Sequence, residues 1–232
     1  MAGDESTIAS SDRAEGFSDA IFAITITLLV VEIPRPPIDE PHLGRHLLDA
    51  WPEYAAFGVS FVYIGALWLN HHALFARIGR VDLRLHWINL FILGTSALLP
   101  FSTAVLAGAF SADAPTSNQE AAVALYALVA LLTSAAWIPV FPHLSRHPEL
   151  LANPEEGDLI AAQSSRPWVG VASYGAAGIS GWLVSPIVAL ALFVWMIAYH
   201  AVTSEGLHAN RVARWLTPPG RARRAIARRH AE

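Results

Sequence analysis

The sequence predicts an all-α fold, a polytopic membrane protein with six transmembrane helices and both termini cytoplasmic. Three observations point there. Hydrophobic residues make up 54% of the 232 residues and charged residues only 15%, whereas a soluble domain carries about 25% charged residues. The apolar residues fall into several long uncharged runs, each close to the roughly 20 residues that span a bilayer. The basic residues, all of them arginine, are distributed unevenly among the connections between those runs.

Residues 1–15 form a polar N-terminal segment with no basic stretch ahead of the first apolar run. That absence argues against a cleaved signal peptide, so the first run is expected to stay in the mature protein. The transmembrane domain is expected over residues 16–204, followed by a basic cytoplasmic tail over 205–232. The first span covers 16–33, which at about 1.5 Å per residue reaches roughly 27 Å. No charge interrupts it between Asp19 and Glu32, and Pro34 ends it. Its hydroxyls Ser18, Thr25 and Thr27 each need a hydrogen-bond partner in lipid. The second span is read over 51–75. The third covers 87–110 and contains Pro100. The fourth covers 121–141, with Pro139 near its end. The fifth and sixth, 168–184 and 186–203, are separated only by Ser185 and the following Pro186, which predicts a tight helical hairpin. Gly170, Gly175, Gly178 and Gly181 in the fifth span read as close helix packing.

Orientation follows from the arginines. With the N-terminus inside, 13 fall on the inner side and only two, Arg35 and Arg45, on the outer side. That asymmetry is the expected signature of an even number of spans. The arginine-rich tail reads as a segment lying near anionic headgroups rather than as a nucleic-acid patch.

The chain has no cysteine, which excludes thiolate chemistry and disulfides. No nucleophile elbow, phosphate loop, zincin helix or dinucleotide fingerprint occurs, so an enzyme is not expected, nor is a cofactor. A resident metal is not expected either. His71 and His72 are adjacent, point about 100° apart on a helix and chelate one ion poorly, and the i,i+4 pairs His42/His46 and His143/His147 lack a placed third ligand. The Thr-Val-Gly-Tyr-Gly filter of pore-loop potassium channels is absent.

Ionisable groups inside spans are functional pointers. Asp19 lies one turn inside the first span. Trp68, Asn70, His71 and His72 end the second span, and His86, Trp87 and Asn89 begin the third, all at the same membrane depth. A network between Asp19 and these histidines and asparagines is expected to lock the first helix to its neighbours. Ile24, Leu28 and Val31 recur at i, i+4, i+7 on one face, with Thr27 beside them. Periodicity alone leaves that face open between lipid contact, core packing and a pore. A proton-coupled secondary transporter using Asp19 and the His71/His72 region is the alternative reading.

Arg13-x-x-x-Phe17-Ser18-Asp19, with Trp68-x-x-His71-His72 and the stretch from Asn89 to Leu99-Pro100-Phe101-x-Thr103, resembles the bacterial relatives of the endolysosomal transmembrane potassium channel. The resemblance covers the first three spans. It implies a homotetramer in the bacterial plasma membrane that conducts potassium ions without a pore-loop filter, each subunit lining the pore with its first helix. It implies a hydrophobic constriction at Ile24, with Leu28 and Val31 further along, and a hydroxyl layer at Thr27. Arg13, Phe17, Ser18 and Asp19, with Trp68, His71, His72 and Asn89, would hold that helix against the second and third. Glu32, Asp39, Glu40, Asp49 and Glu53 are expected to give the outer mouth a negative vestibule.

Overall fold

The computed structural model describes residues 9–39, 41–111 and 114–204. The tail over 205–232 and Glu40 of the expected vestibule lie outside the described residues. Ten α-helices dominate the described chain: α1 (Asp12–Val31), α2 (Leu43–Asp49), α3 (Trp51–Phe75), α4 (Leu83–Ser96), α5 (Leu99–Ser111), α6 (Thr116–Ala135), α7 (Val140–Arg146), α8 (Gly157–Ala162), α9 (Arg166–Leu183) and α10 (Pro186–Thr203). Two-residue strands β1 (Ala9–Ser10) and β2 (Arg80–Val81) pair antiparallel, with Ala9 opposite Val81. They tie the start of the chain to the loop after α3.

By length and composition four helical stretches of the described chain can cross a membrane: Asp12–Val31, Leu83–Phe110, Thr116–Arg146 and Pro186–Thr203. Helices α3 and α9 have 25 and 18 residues, enough to span, but aromatic, histidine and glycine residues lower their hydropathy. The protein is a polytopic helical membrane protein, as its composition implied.

The expected third and fourth spans are not single rods. Pro100 cannot donate a backbone hydrogen bond, and its ring crowds the carbonyl four residues back. The chain turns at 97–98, between α4 and α5, with the Leu98 amide bonded three residues back to the Thr95 carbonyl at 3.2 Å. Pro139 acts in the same way between α6 and α7. The first helix begins at Asp12, before the expected span, and ends at Val31, short of Pro34.

Around the 139–163 segment a second apolar core forms, which the six-span reading did not contain. Ile78, Val81, Leu85, Trp137, Phe141, Leu144, Leu151 and Ile160 bury together, distinct from the main core of Phe22, Leu29, Tyr63, Leu99, Tyr126, Tyr174 and Phe193. Asp82 joins its parts. Its carboxylate caps α4 by accepting from the Leu85 amide at 2.7 Å. It also accepts from His143 Nε2 at 3.0 Å, and His143 is 4% exposed. Burial pushes the Asp82 carboxyl up, but the Leu85 amide and His143 outweigh it, and the net shift is downward. A depressed folded-state value stabilises the fold above the ordinary carboxylate value of about 4, and that contribution is lost as pH falls through the folded value. Asp82→Ala is therefore expected to cost roughly 2 kcal/mol from the lost cap and the unpaired histidine. Thermal melts in detergent should show the gap from wild type closing below about pH 4.

Helix α6 packs most extensively on α9. A Cβ added at Gly178 would lie 2.8 Å from Ala127 Cβ, and one at Gly181 would overlap Val123 Cγ1. At Gly175 the nearest atom, Leu131 Cδ1, would be 3.6 Å away. Gly181→Ala is expected to destabilise the subunit by roughly 1–3 kcal/mol through overpacking. Gly175→Ala should be near neutral in the same melt.

Candidate pore helix and its anchoring network

Helix α1 buries a single face. Ala14, Ser18, Phe22, Thr25 and Leu29 point into the subunit, at the four- and three-residue steps of one helical stripe. The Thr25 hydroxyl is satisfied internally, donating to the Ile21 carbonyl at 2.8 Å. Ile24 is 54% exposed, Leu28 41% and Val31 71%, and Thr27 is exposed with them. At about 100° per residue this stripe lies roughly 130° around the helix from the buried one. The Thr27 hydroxyl donates to the Ile24 carbonyl at 2.8 Å, which leaves the lone pairs of its oxygen available to a cation.

The buried face is held by a directed chain of hydrogen bonds. Ser18 Oγ lies 2.7 Å from the Ala14 carbonyl, to which it can only donate. It must therefore accept from Asn89 Nδ2, 2.9 Å away. Asn89 Oδ1 is then left to accept from His71 Nε2 at 2.8 Å, which fixes the imidazole tautomer with its proton on Nε2. Ser18 and His71 are fully buried and Asn89 is 3% exposed. Phe75 stacks on the His71 ring, centroids 4.2 Å apart, and Phe22 of α1 meets it edge-on at 5.4 Å.

A second chain runs beside the first. Trp68 Nε1 donates to Asp19 Oδ1 at 2.8 Å. The Trp68 ring stacks on His72, and His72 Nδ1 pairs with Glu15 Oε1 at 3.1 Å. The expectation that Asp19 binds histidine or asparagine is corrected: an indole N–H takes the carboxylate, and the neighbouring Ser18 takes Asn89. Arg13 is exposed, and Phe17 is 50% exposed on the subunit. Phe17 shares the azimuth of Ile24, seven residues on.

Glu15 was not singled out in the sequence. The i,i+4 step from Glu15 to Asp19 was the available signal. One atom each of Glu15, Asp19 and His72 lie within 4.8 Å of one another, a donor set of two carboxylates and an imidazole that a divalent ion could use. The Trp68 and His72 contacts account for these groups without one. At the other end of α1, Glu32 and Glu53 line one small cavity of about 40 Å³, while Asp39 and Asp49 are exposed.

The chain is a polytopic helical membrane protein whose first helix is anchored along one face and left apolar and uncovered along another. The family model of the endosomal/lysosomal potassium channel TMEM175 matches residues 13–100, the stretch that holds both hydrogen-bond chains. A potassium channel of Streptomyces collinus is 42% identical over 137 residues, 59% of this chain and 65% of its own length, just under two thirds of that relative. A potassium channel of Chamaesiphon minutus is 32% identical over 178 residues, 74% of this chain and 86% of its own length. The crystal structure of a lysosomal potassium-selective channel TMEM175 homolog from Chamaesiphon minutus superposes with a TM-score of 0.71 at 29% identity, over 84% of this chain and 98% of that one. The chain belongs to the TMEM175 family, a family of channels and not of enzymes.

Proposed function

We propose that this chain is the subunit of a potassium-permeable cation channel in the bacterial plasma membrane, crossing it six times with both termini inside. Four copies of α1 surround the pore, because one helix cannot enclose a path and a closed symmetric ring can. The observation that carries this reading is the uncovered stripe of Ile24, Thr27, Leu28 and Val31 on a helix whose opposite side is fixed by buried hydrogen bonds. Ile24 supplies a ring of apolar side chains that gates by dewetting. Thr27 presents hydroxyl oxygens one turn further on. Ser18 and Asp19, through Asn89, His71 and Trp68, hold the helix in register. Glu32 and Glu53 contribute to a negative outer mouth that concentrates cations.

Purified protein in potassium-loaded bilayers tests the reading. Unitary current steps whose reversal potential follows the potassium gradient are expected. Saturating, proton-dependent turnover without steps would instead favour the carrier built on Asp19 and the His71/His72 region.

A further inference from the structure

Near the start of α1 stands a group of side chains that neither the exposed stripe nor the Ser18–Asn89–His71 chain uses. Glu15 and Asp19 lie one turn apart on α1, and His72 meets them from the last turn of α3. One donor atom of each lies within 4.8 Å of the other two. His72 Nδ1 and Glu15 Oε1 are 3.1 Å apart. Ligands around a four-coordinate ion with bonds of about 2.0–2.1 Å are spaced by about 3.3 Å. This pair therefore already stands at the separation of two ligands on one ion. For Asp19 the remaining gap is at most about 1.5 Å, within the reach of its side-chain torsions.

The donors are held from behind on two packed helices. Trp68 Nε1 donates to Asp19 Oδ1 at 2.8 Å, which leaves Oδ2 to turn toward His72. The same indole stacks on the His72 ring, centroids 5.7 Å apart and planes 26° apart. Contacts of this kind orient metal ligands, and here one side chain supplies both. Among the described residues the one ion pair that these two carboxylates make is with His72, so two acids and an imidazole face one another without an arginine. A divalent cation balances that charge. The imidazole nitrogen selects a zinc-like ion over magnesium or calcium, which prefer oxygen ligands alone. The His72 side chain is 52% exposed, which gives an ion a way in and a water room to complete the coordination.

The geometry points to an exchangeable site for a zinc-like divalent cation, with Glu15, Asp19 and His72 as its protein ligands. The ion takes the Nδ1 lone pair of His72, and the single proton of the neutral ring moves to Nε2. Without the ion the His72–Glu15 and Trp68–Asp19 contacts satisfy the same atoms, so the fold does not require it. Bound, the ion ties the start of α1 to the end of α3. The inference does not rest on conduction, and its test reads binding.

The full chain, carrying no polyhistidine tag, is titrated with zinc chloride in detergent and followed by calorimetry. One tight zinc per subunit is expected, weakened about tenfold or more by Glu15→Gln and by His72→Gln. His42→Ala/His46→Ala should bind as wild type does, and equimolar magnesium should not compete. Cobalt in place of zinc should give a visible d–d band that His72→Gln alters. Zinc should raise the melting temperature of wild type and not that of Glu15→Gln, whose melt without zinc is expected within a few degrees of wild type. Equal zinc affinity in wild type, Glu15→Gln and His72→Gln would overturn the site. Competition by equimolar magnesium would overturn the assignment to a zinc-like ion.

Discussion

Ile24→Asn is expected to raise the potassium current through the open pore on the order of tenfold, because lowering the barrier by about 1.4 kcal/mol is enough for that factor. In the proposed pore the barrier at a ring of isoleucines is the cost of wetting a narrow apolar neck, and an amide in each subunit gives water and ions hydrogen-bonding partners there. Val30 is also exposed, at 56%, but lies about 120° around the helix from Ile24. Val30→Asn should therefore leave the unitary conductance near wild type. Current recordings on the two variants separate a constriction at one azimuth from a general effect of polar residues in α1. Unaltered conductance in Ile24→Asn would remove Ile24 as the gate.

The second large effect is expected at Asn89. Replacing it with leucine removes the donor to Ser18 and the acceptor for His71 in one step. Each buried group left unpaired costs roughly 1–3 kcal/mol, and for a chain of this size a kilocalorie moves the melting temperature by about 2–4 °C. Asn89→Leu should therefore melt roughly 5–15 °C below wild type. Ser18→Ala should cost less, since it strands only one amide proton of Asn89. Both melts are measurable in detergent, and a smaller loss for Asn89→Leu than for Ser18→Ala would contradict the directed chain.

Much of this was legible in the residues. The uncharged run after Asp19, the 186–203 span opening on Pro186 and the small-residue face of α9 each followed from local chemistry. The depth of Trp68, His71 and Asn89 relative to Asp19 followed from counting along antiparallel helices. Their pairing did not. Periodicity places side chains at a level but does not choose between an indole and an imidazole for one carboxylate. That choice depends on helix azimuth and on Ser18 committing its only proton to the Ala14 carbonyl. The 139–163 region was also hidden. Pro139, Pro142, Pro148 and Pro154 cut it into short helices with no sustained period, although its apolar residues bury a core of their own. Arg13 and Phe17 carried the strongest motif signal, yet both are exposed on the subunit.

The most direct test uses the absence of cysteine. Single cysteines placed in turn from position 22 to position 31 provide the only thiols in the channel. A charged methanethiosulfonate reagent is then applied while potassium current is recorded. Block is expected at 24, 27, 28 and 31, and no block at 22, 25 and 29, the face buried against the subunit. Block confined to 22, 25 and 29, or absent along the whole helix, would contradict a pore lined by α1.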